Sequence, residues 1–98
     1  MIYEWNAAKR ASNLQKHGVD FNDAIGIFEG LVVAEPDERR DYGEVRYHAL
    51  GRLGESILVV VFTFRGDNLR IISARRANSR ERTRYSQAYS LYSGAREN

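Results

Sequence analysis

Residues 57–76 read ILVVVFTFRGDNLRIISARR and contain the two strands that decide the fold. The first part, Ile57 to Phe64, is almost entirely apolar, which predicts a central strand that is covered on both faces. Residues 65–68, RGDN, are typical of a hairpin turn, because glycine, aspartate and asparagine tolerate the backbone of tight turns. The sequence therefore predicts a β-hairpin whose second strand runs from Leu69 to Arg75.

Signals for helices lie on both sides of this hairpin. Asn6, Asp20 and Asn78 or Ser79 carry short polar side chains that accept a hydrogen bond from a free helix amide, and Gly18 suits the left-handed residue that ends a helix. The β-branched or alternating stretches elsewhere predict strands. In chain order we predict strand 2–5, helix 7–17, helix 21–29, and strands 31–34, 45–50, 57–64 and 69–75. A last helix, capped by residue 78 or 79, is predicted to end near residue 92.

The predicted element order, β-α-α-β-β-β-β-α, indicates an α+β fold in which helices pack on a single antiparallel β-sheet. A chain of 98 residues, of which 43% are hydrophobic, is expected to form one domain with its own core. We expect this domain to span residues 1–92 and the tail, residues 93–98, to be frayed.

The composition argues against several classes of protein. The chain has no cysteine, which excludes disulfides, thiolate metal sites and a cysteine nucleophile. Its longest apolar run, Ile57 to Phe64, is far shorter than the roughly 20 residues of a membrane-spanning helix. The N-terminus lacks the basic and apolar regions of a signal peptide. We therefore expect a cytoplasmic protein.

Basic residues are concentrated near the C-terminus. Residues 65–84 contain seven arginines and two acids, and arginine supplies 13 of the 15 basic residues of the chain. The planar guanidinium group binds phosphate and carboxylate through two hydrogen bonds at once. This segment predicts a nucleic-acid or phosphate partner, and an ordinary arginine-rich surface is the alternative.

Acidic residues are concentrated in the first half, where residues 20–44 contain eight acids and two bases. The simpler interpretation is a solvated face and loop. The alternative is a surface that repels RNA or contacts basic residues of a partner protein.

Five tyrosine and histidine side chains have two interpretations each. Tyr85, Tyr89 and Tyr92 follow helical spacing, and they either form a platform for stacked RNA bases or pack the helix against the sheet. His17, at a predicted helix C-terminus, either serves acid chemistry or phosphate binding, or is solvated. His48 lies in a predicted strand and is interpreted as structural or exposed. No metal-binding or phosphate-loop motif is present, so we predict no metal site and no cofactor.

Seven short strings occur along the chain: WN-x-x-K (5–9), N-x-x-KHGV-x-F-x-x-A (13–24), GE-x-R (43–46), LG (50–51), T-x-RG (63–66), RIISARRA (70–77) and ER-x-x-Y (81–85). In this order and spacing they resemble the BrnT family of type II toxin–antitoxin toxins. The resemblance extends from Ile2 to about Tyr85. No single string is specific, but the seven together are.

The resemblance implies a RelE-like fold and a ribonuclease toxin that inhibits translation by cutting RNA. It also implies a BrnA-like antitoxin that carries a ribbon-helix-helix DNA-binding part. The two proteins would form a heterotetramer that reaches promoter DNA only through the antitoxin.

Such an endoribonuclease acts by in-line attack of a ribose 2′-oxygen on the adjacent phosphorus, without a metal ion. The reaction requires a base, a charge that neutralises the phosphorane and an acid. We assign neutralisation to Arg65 and Arg75, because a guanidinium binds two phosphoryl oxygens at once. The candidates for proton transfer are Tyr85, Glu81 and His17.

The remaining cationic candidates are predicted to bind RNA: Lys16, Arg46, Arg70, Arg76, Arg80, Arg82 and Arg84. This hypothesis requires the guanidinium groups to converge in one shallow hollow. A salt bridge to Arg82 or Arg84, or a charge at the helix start, is the alternative role for Glu81. The alternatives to catalysis are a module that binds RNA or a partner through the same basic face, and a protein that contacts only an acidic antitoxin segment.

Overall fold

The computed structural model describes residues 1–39 and 41–97, which form one five-stranded sheet with three α-helices. The prediction of an α+β fold is confirmed. The elements are β1 (Tyr3–Glu4), α1 (Ala7–His17), α2 (Phe21–Ala24) continued by a 3-10 helix (Ile25–Glu29), β2 (Val32–Pro36), β3 (Tyr47–Leu53), β4 (Ser56–Arg65), β5 (Asn68–Arg76) and α3 (Ser79–Glu97).

The strands are ordered β1-β5-β4-β3-β2, so the apolar strand β4 is central, as predicted. Strands β2 to β5 form an antiparallel meander, but β1 pairs with β5 in parallel, with Tyr3 opposite Leu69. The prediction of a purely antiparallel sheet is therefore wrong, and the sheet is mixed. Parallel strands are joined by a long connection, and here the chain between β1 and β5 contains every other element except α3. A two-residue strand has too little sequence pattern to show which distant strand it joins.

The local signals for the helix ends are confirmed in the structure. The Asn6 side chain accepts a hydrogen bond from the Lys9 amide at 3.0 Å, and Gly18 ends α1 with φ of 71°. The Asp20 side chain caps α2. Helix α3 continues to Glu97, beyond its predicted end near residue 92, and the last residue of the predicted tail, residue 98, lies outside the described residues.

The two faces of the sheet carry separate cores. On one face α2 and the 3-10 helix bury Phe21 and Ile27 completely against the strands. Gly51 makes this packing possible, because a Cβ there would lie 2.5 Å from the Cβ of Ile27. On the other face, Tyr85 of α3 packs in a smaller cluster that includes Val59. No helix in the described part of the chain is long and apolar enough to cross a membrane.

Helix α1 lies along the outer edge of β5, beyond the point where β1 ends. The buried Asn13 side chain donates to the Ala74 carbonyl at 2.8 Å and accepts from the Ala74 amide at 3.1 Å. Its amide therefore takes the place of a neighbouring strand and satisfies the backbone groups of this sheet edge. This contact fixes the C-terminal end of α1 beside the second half of β5.

Candidate active site

A hollow of about 510 Å³ opens on the face of the sheet that carries α3. Strands β3 to β5 form its floor, and the C-terminal end of α1 and the first turn of α3 form walls. Five of the nine lining side chains are Lys, Arg or His. The lining residues are Lys16, His17, Arg39, His48, Val59, Val61, Ser73, Arg75 and Glu81.

Strand register explains why distant residues share this hollow. His48 of β3 pairs with Val61 of β4, which in turn pairs with Ser73 of β5. Val59 pairs in the same way with Arg75. Since residues that are opposite each other in neighbouring strands project from the same face, these five side chains form the floor.

The C-terminal end of α1 supplies the cationic wall. Lys16 and His17 occupy the last turn, where the helix dipole favours positive charge. The Asn13 contact with the β5 backbone holds this turn over the floor.

Arg75 and Glu81 form a two-pronged ion pair at the edge of the hollow. The Arg75 nitrogens Nη1 and Nη2 lie 2.8 and 2.9 Å from the two Glu81 oxygens. Glu81 also exchanges hydrogen bonds with Asn78, each of 2.9 Å, which forms a capping box at the start of α3. The Arg75 contact, helped by the Asn78 amide, lowers the pKa of Glu81 to about 2, and the same contact raises the pKa of Arg75.

The predicted charge of Glu81 at the helix start is thus confirmed. The alternative ion pair with Arg82 or Arg84 is wrong, because Arg75 is its partner.

His48 belongs to a second ion-paired chain. Its Nε2 lies 2.7 Å from Oε1 of Glu35, and both Glu35 oxygens accept hydrogen bonds from Arg84, at 2.9 and 2.8 Å. Arg84, followed by His48, lowers the pKa of Glu35 to about 2. With Nε2 occupied, Nδ1 is the ring nitrogen of His48 that remains for a ligand in the hollow.

Four of the sequence-predicted site residues line this hollow, namely Lys16, His17, Arg75 and Glu81. Tyr85 does not line it. Its side chain is buried, and its hydroxyl donates to the Leu31 carbonyl at 3.0 Å. Burial raises the pKa of Tyr85. The buried ring and its hydrogen bond to Leu31 hold α3 against the rest of the fold.

Arg65 lies at the far end of the β4–β5 hairpin. It pairs in register with Asn68, whereas Arg75 is seven residues further along β5, about 23 Å at the usual rise of a strand. Arg65 and Arg46 lie near Glu44, at 4.0 and 3.1 Å. The structure thus separates Arg65 from Arg75.

The other predicted RNA-binding arginines are dispersed. Arg70 pairs with Glu4 at 2.7 Å, and Arg76 lies beside Asp20 and Asp23 away from the hollow. Arg84 pairs with Glu35, Arg82 donates to the Ala77 carbonyl, and Arg80 is exposed. The expected convergence of these guanidinium groups in one hollow is therefore wrong. Among the predicted RNA-binding arginines, Arg46, Arg70 and Arg84 are paired with Glu44, Glu4 and Glu35.

The acidic segment is not a single solvated face. Asp37 is buried and holds Arg39 through two hydrogen bonds of 2.8 Å, which lower the pKa of Asp37. Glu35 holds His48 and Arg84. These two acids hold Arg39 and His48 at the hollow, whereas Asp41 is exposed and lines a separate hollow.

Three side chains at this site, His48, Arg39 and Glu35, are not among the catalytic or RNA-binding candidates predicted from the sequence. His48 was interpreted as structural or exposed, yet it lines the same hollow as His17. The pairing of His48 with Val61 could have been found only by fixing the β3–β4 register. In the described residues, no group of three or more His, Cys, Asp or Glu side chains is arranged to hold a metal ion.

Comparison with known proteins identifies the family of this chain. A family model described as the ribonuclease toxin BrnT of type II toxin–antitoxin systems matches residues 5–81. The matched range includes every residue that lines the hollow. No curated protein sequence matches the chain significantly. Since the match covers well over half of the 98 residues, the chain belongs to the BrnT family of type II toxin–antitoxin ribonuclease toxins.

Proposed function

We propose that this protein is a metal-independent, RelE-like endoribonuclease of the cytoplasm that inhibits translation, and that the hollow beside Arg75 is its active site. The observation that carries the proposal is the meeting of His17 and His48 with Lys16 and Arg75 in one hollow. Two groups that can exchange protons and two fixed cations are what RNA cleavage by a 2′-hydroxyl requires.

The proposed reaction is an in-line displacement at phosphorus. A base takes the 2′-hydroxyl proton, the 2′-oxygen forms a bond to phosphorus, and the bond from phosphorus to the 5′-oxygen breaks. An acid gives its proton to the departing 5′-oxygen. The products are a 2′,3′-cyclic phosphate and a 5′-hydroxyl, so no water and no second reactant is consumed.

His17 and His48 are the proposed proton-transfer pair. Imidazole is the side chain best suited to give and take protons near neutral pH. Glu35 fixes the proton on Nε2 of His48 and thereby leaves the lone pair of Nδ1 for the substrate. Glu81 is occupied by Arg75 and Asn78, so its proposed role is to hold Arg75 in place.

Arg75 is the proposed neutralising group for the phosphorane. Its ion pair with Glu81 and its 3.3 Å contact with the Arg76 carbonyl use three of the five guanidinium N–H groups. The N–H of Nε and one N–H of Nη2 remain for phosphoryl oxygens. Lys16 and Arg39 add positively charged groups to the lining of the hollow.

Cleavage of a labelled single-stranded RNA by the purified protein in the presence of EDTA tests this function. We expect products that end in a 2′,3′-cyclic phosphate, and no cleavage where the attacking ribose is 2′-deoxy. Arg75→Gln should lose most of the rate, whereas the distant Arg65→Gln should lose much less. Full activity of Arg75→Ala would remove Arg75 from the site. RNA that is bound and recovered intact would favour the non-catalytic binding module.

We also propose that the antitoxin partner of this toxin is a BrnA-like protein with a ribbon-helix-helix part. Covering the cationic hollow is the simplest way to neutralise the toxin, and an acidic segment would match its charge. We expect a heterotetramer that binds promoter DNA through the antitoxin. The molar mass of the purified complex tests the stoichiometry, and release of bound RNA on addition of the antitoxin tests the shared site.

A further inference from the structure

A second hollow, of about 240 Å³, adjoins the candidate active site on the α1 side. The two hollows share the lining residues Lys16, His17 and Ser73, so they form one continuous groove. A ligand centred on the histidines would therefore extend along α1. Nothing in the proposed reaction uses this second part of the groove.

The wall of this extension is one face of α1. Lys9, Ser12 and Lys16 line it, and positions three and seven residues apart lie on the same side of a helix. Lys9 and Lys16 are separated by two turns, about 10 Å along the helix axis. The half-buried Ile72 of β5 forms an apolar part of the floor.

The lining of the extension includes two lysines, Lys9 and Lys16. Lys9 and Lys16 are the two lysines of the chain, and neither is in an ion pair within the described residues. No Asp or Glu lines the extension. By contrast Arg10, the neighbour of Lys9, binds Asp20 at 2.7 Å. A cation without an internal partner is available to an external anion.

We propose that this extension is a binding subsite for the RNA strand next to the cleaved phosphate, with Lys9 and Ser12 as its phosphate contacts. The proposal rests on the function proposed above. Cations repeated along a groove match the repeated charges of a nucleic-acid backbone, and Ile72 offers an apolar surface to a ribose or base. Contacts of this kind carry no sequence preference, so the subsite would set the length of RNA that is bound.

An acidic antitoxin segment is the competing occupant of the same groove. We favour RNA because the extension continues directly from His17, which is proposed to act on the RNA. An antitoxin needs only to block the first hollow in order to neutralise the toxin.

Binding of non-cleavable oligonucleotides tests the subsite. The probes are fluorescein-labelled oligouridylates of two and eight nucleotides with 2′-deoxyribose at every position, measured by fluorescence anisotropy at several salt concentrations. The variants are Lys9→Gln and Lys16→Gln. The control is Arg52→Gln, which removes an exposed cation that lines neither hollow and takes part in no described ion pair.

We expect Lys9→Gln to weaken the eight-nucleotide complex about three- to tenfold and to reduce its salt slope by about 0.7, the loss of one phosphate contact on a single strand. Binding of the dinucleotide should stay within about twofold of wild type, because one phosphate occupies the first hollow. Lys16→Gln should weaken both complexes, and Arg52→Gln should weaken neither. Lys9→Arg should restore the affinity.

Wild-type affinity of Lys9→Gln for the long probe, with Lys16→Gln still defective, would overturn the subsite and leave the proposed active site intact. If Lys9→Gln weakens the antitoxin complex but leaves RNA binding unchanged, the subsite for RNA is overturned in favour of a site for the protein partner. Binding that is insensitive to both lysines would overturn the subsite and the proposed active site together.

Discussion

The two faces of the sheet use the same strands for different purposes. On one face α2 and the 3-10 helix cover the strands, and Phe21 and Ile27 are completely buried. On the other face α3 covers only the part around Val59 and Tyr85, and the remainder is the cationic hollow. Because strand residues alternate between faces, each strand contributes to the core and to the site. The comparison shows that incomplete coverage by α3 leaves room for a ligand.

The largest expected effect is the loss of a core side chain on the covered face. Phe21→Ala should lower the free energy of unfolding by about 3–5 kcal/mol, because it empties a fully buried site. Urea denaturation measures this change. Phe64→Ala is the matched control, since Phe64 is 48% exposed and should cost less than about half as much. Equal losses would mean that the covered face is not the main source of stability.

On the open face, the largest effect should be on catalysis. His48→Gln should slow RNA cleavage about 100-fold or more, as expected when a proton-transfer group is removed. Its neighbour Tyr47 faces the opposite core, so Tyr47→Phe should leave the cleavage rate near that of wild type. Initial rates with a labelled oligonucleotide measure cleavage by the two variants. Thermal unfolding of each variant shows whether it is folded. A full rate for His48→Gln would remove His48 from the mechanism.

A third prediction concerns stability supplied by the open face. Glu81→Gln should lower the free energy of unfolding by about 1–2 kcal/mol, because it weakens a capping box and an ion pair. Exposed Glu55 has no described hydrogen bond, so Glu55→Gln should change stability little.

The pH dependence of this stabilisation follows from the pKa of Glu81. The folded pKa of about 2 lies below the ordinary value of 4.5, so the contribution is complete above pH 4.5 and is lost as the pH falls toward 2. Glu81→Gln should therefore show a smaller decline in stability than wild type over this range. Parallel declines would show that the Arg75–Glu81 contact does not stabilise the fold.

The smallest expected effect concerns the orientation of His48. Glu35→Gln should lower kcat about fivefold with little change in KM, since the amide still occupies Nε2 but no longer favours the same tautomer. Exposed Glu38 on the following loop is the control, and Glu38→Gln should leave kcat unchanged. Single-turnover cleavage rates of Glu35→Gln and Glu38→Gln measure this difference. A change in KM alone would indicate that Glu35 acts on RNA binding instead.

Much of the fold was predictable because its signals are local. Asn6 and Gly18 were identified as the ends of α1, and the turn at residues 65–68 as a hairpin. The parallel pairing of β1 was not predictable, because it depends on which distant strand lies beside Tyr3. The 3-10 continuation of α2 was also missed, because apolar spacing does not distinguish it from an α-helix.

The site was predicted only in part. Lys16, His17, Arg75 and Glu81 were named as candidates and line one hollow. The sequence groups Arg65 with them although it lies at the opposite end of the hairpin, and it favours a structural or exposed His48 although His48 lines the hollow. Residue type indicates which side chains bind phosphate, but not which carboxylate each side chain meets.

The sequence by itself determined the element order, the starts of the helices, the end of α1 and the hairpin, because each depends on residues within a few positions of one another. It also determined the family, through seven short strings spread along the chain. Only the tertiary structure decided which charges are paired and which face the open hollow. Pairings such as Glu35 with Arg84 and His48 join residues from three different elements, and strand register together with helix docking fixes them.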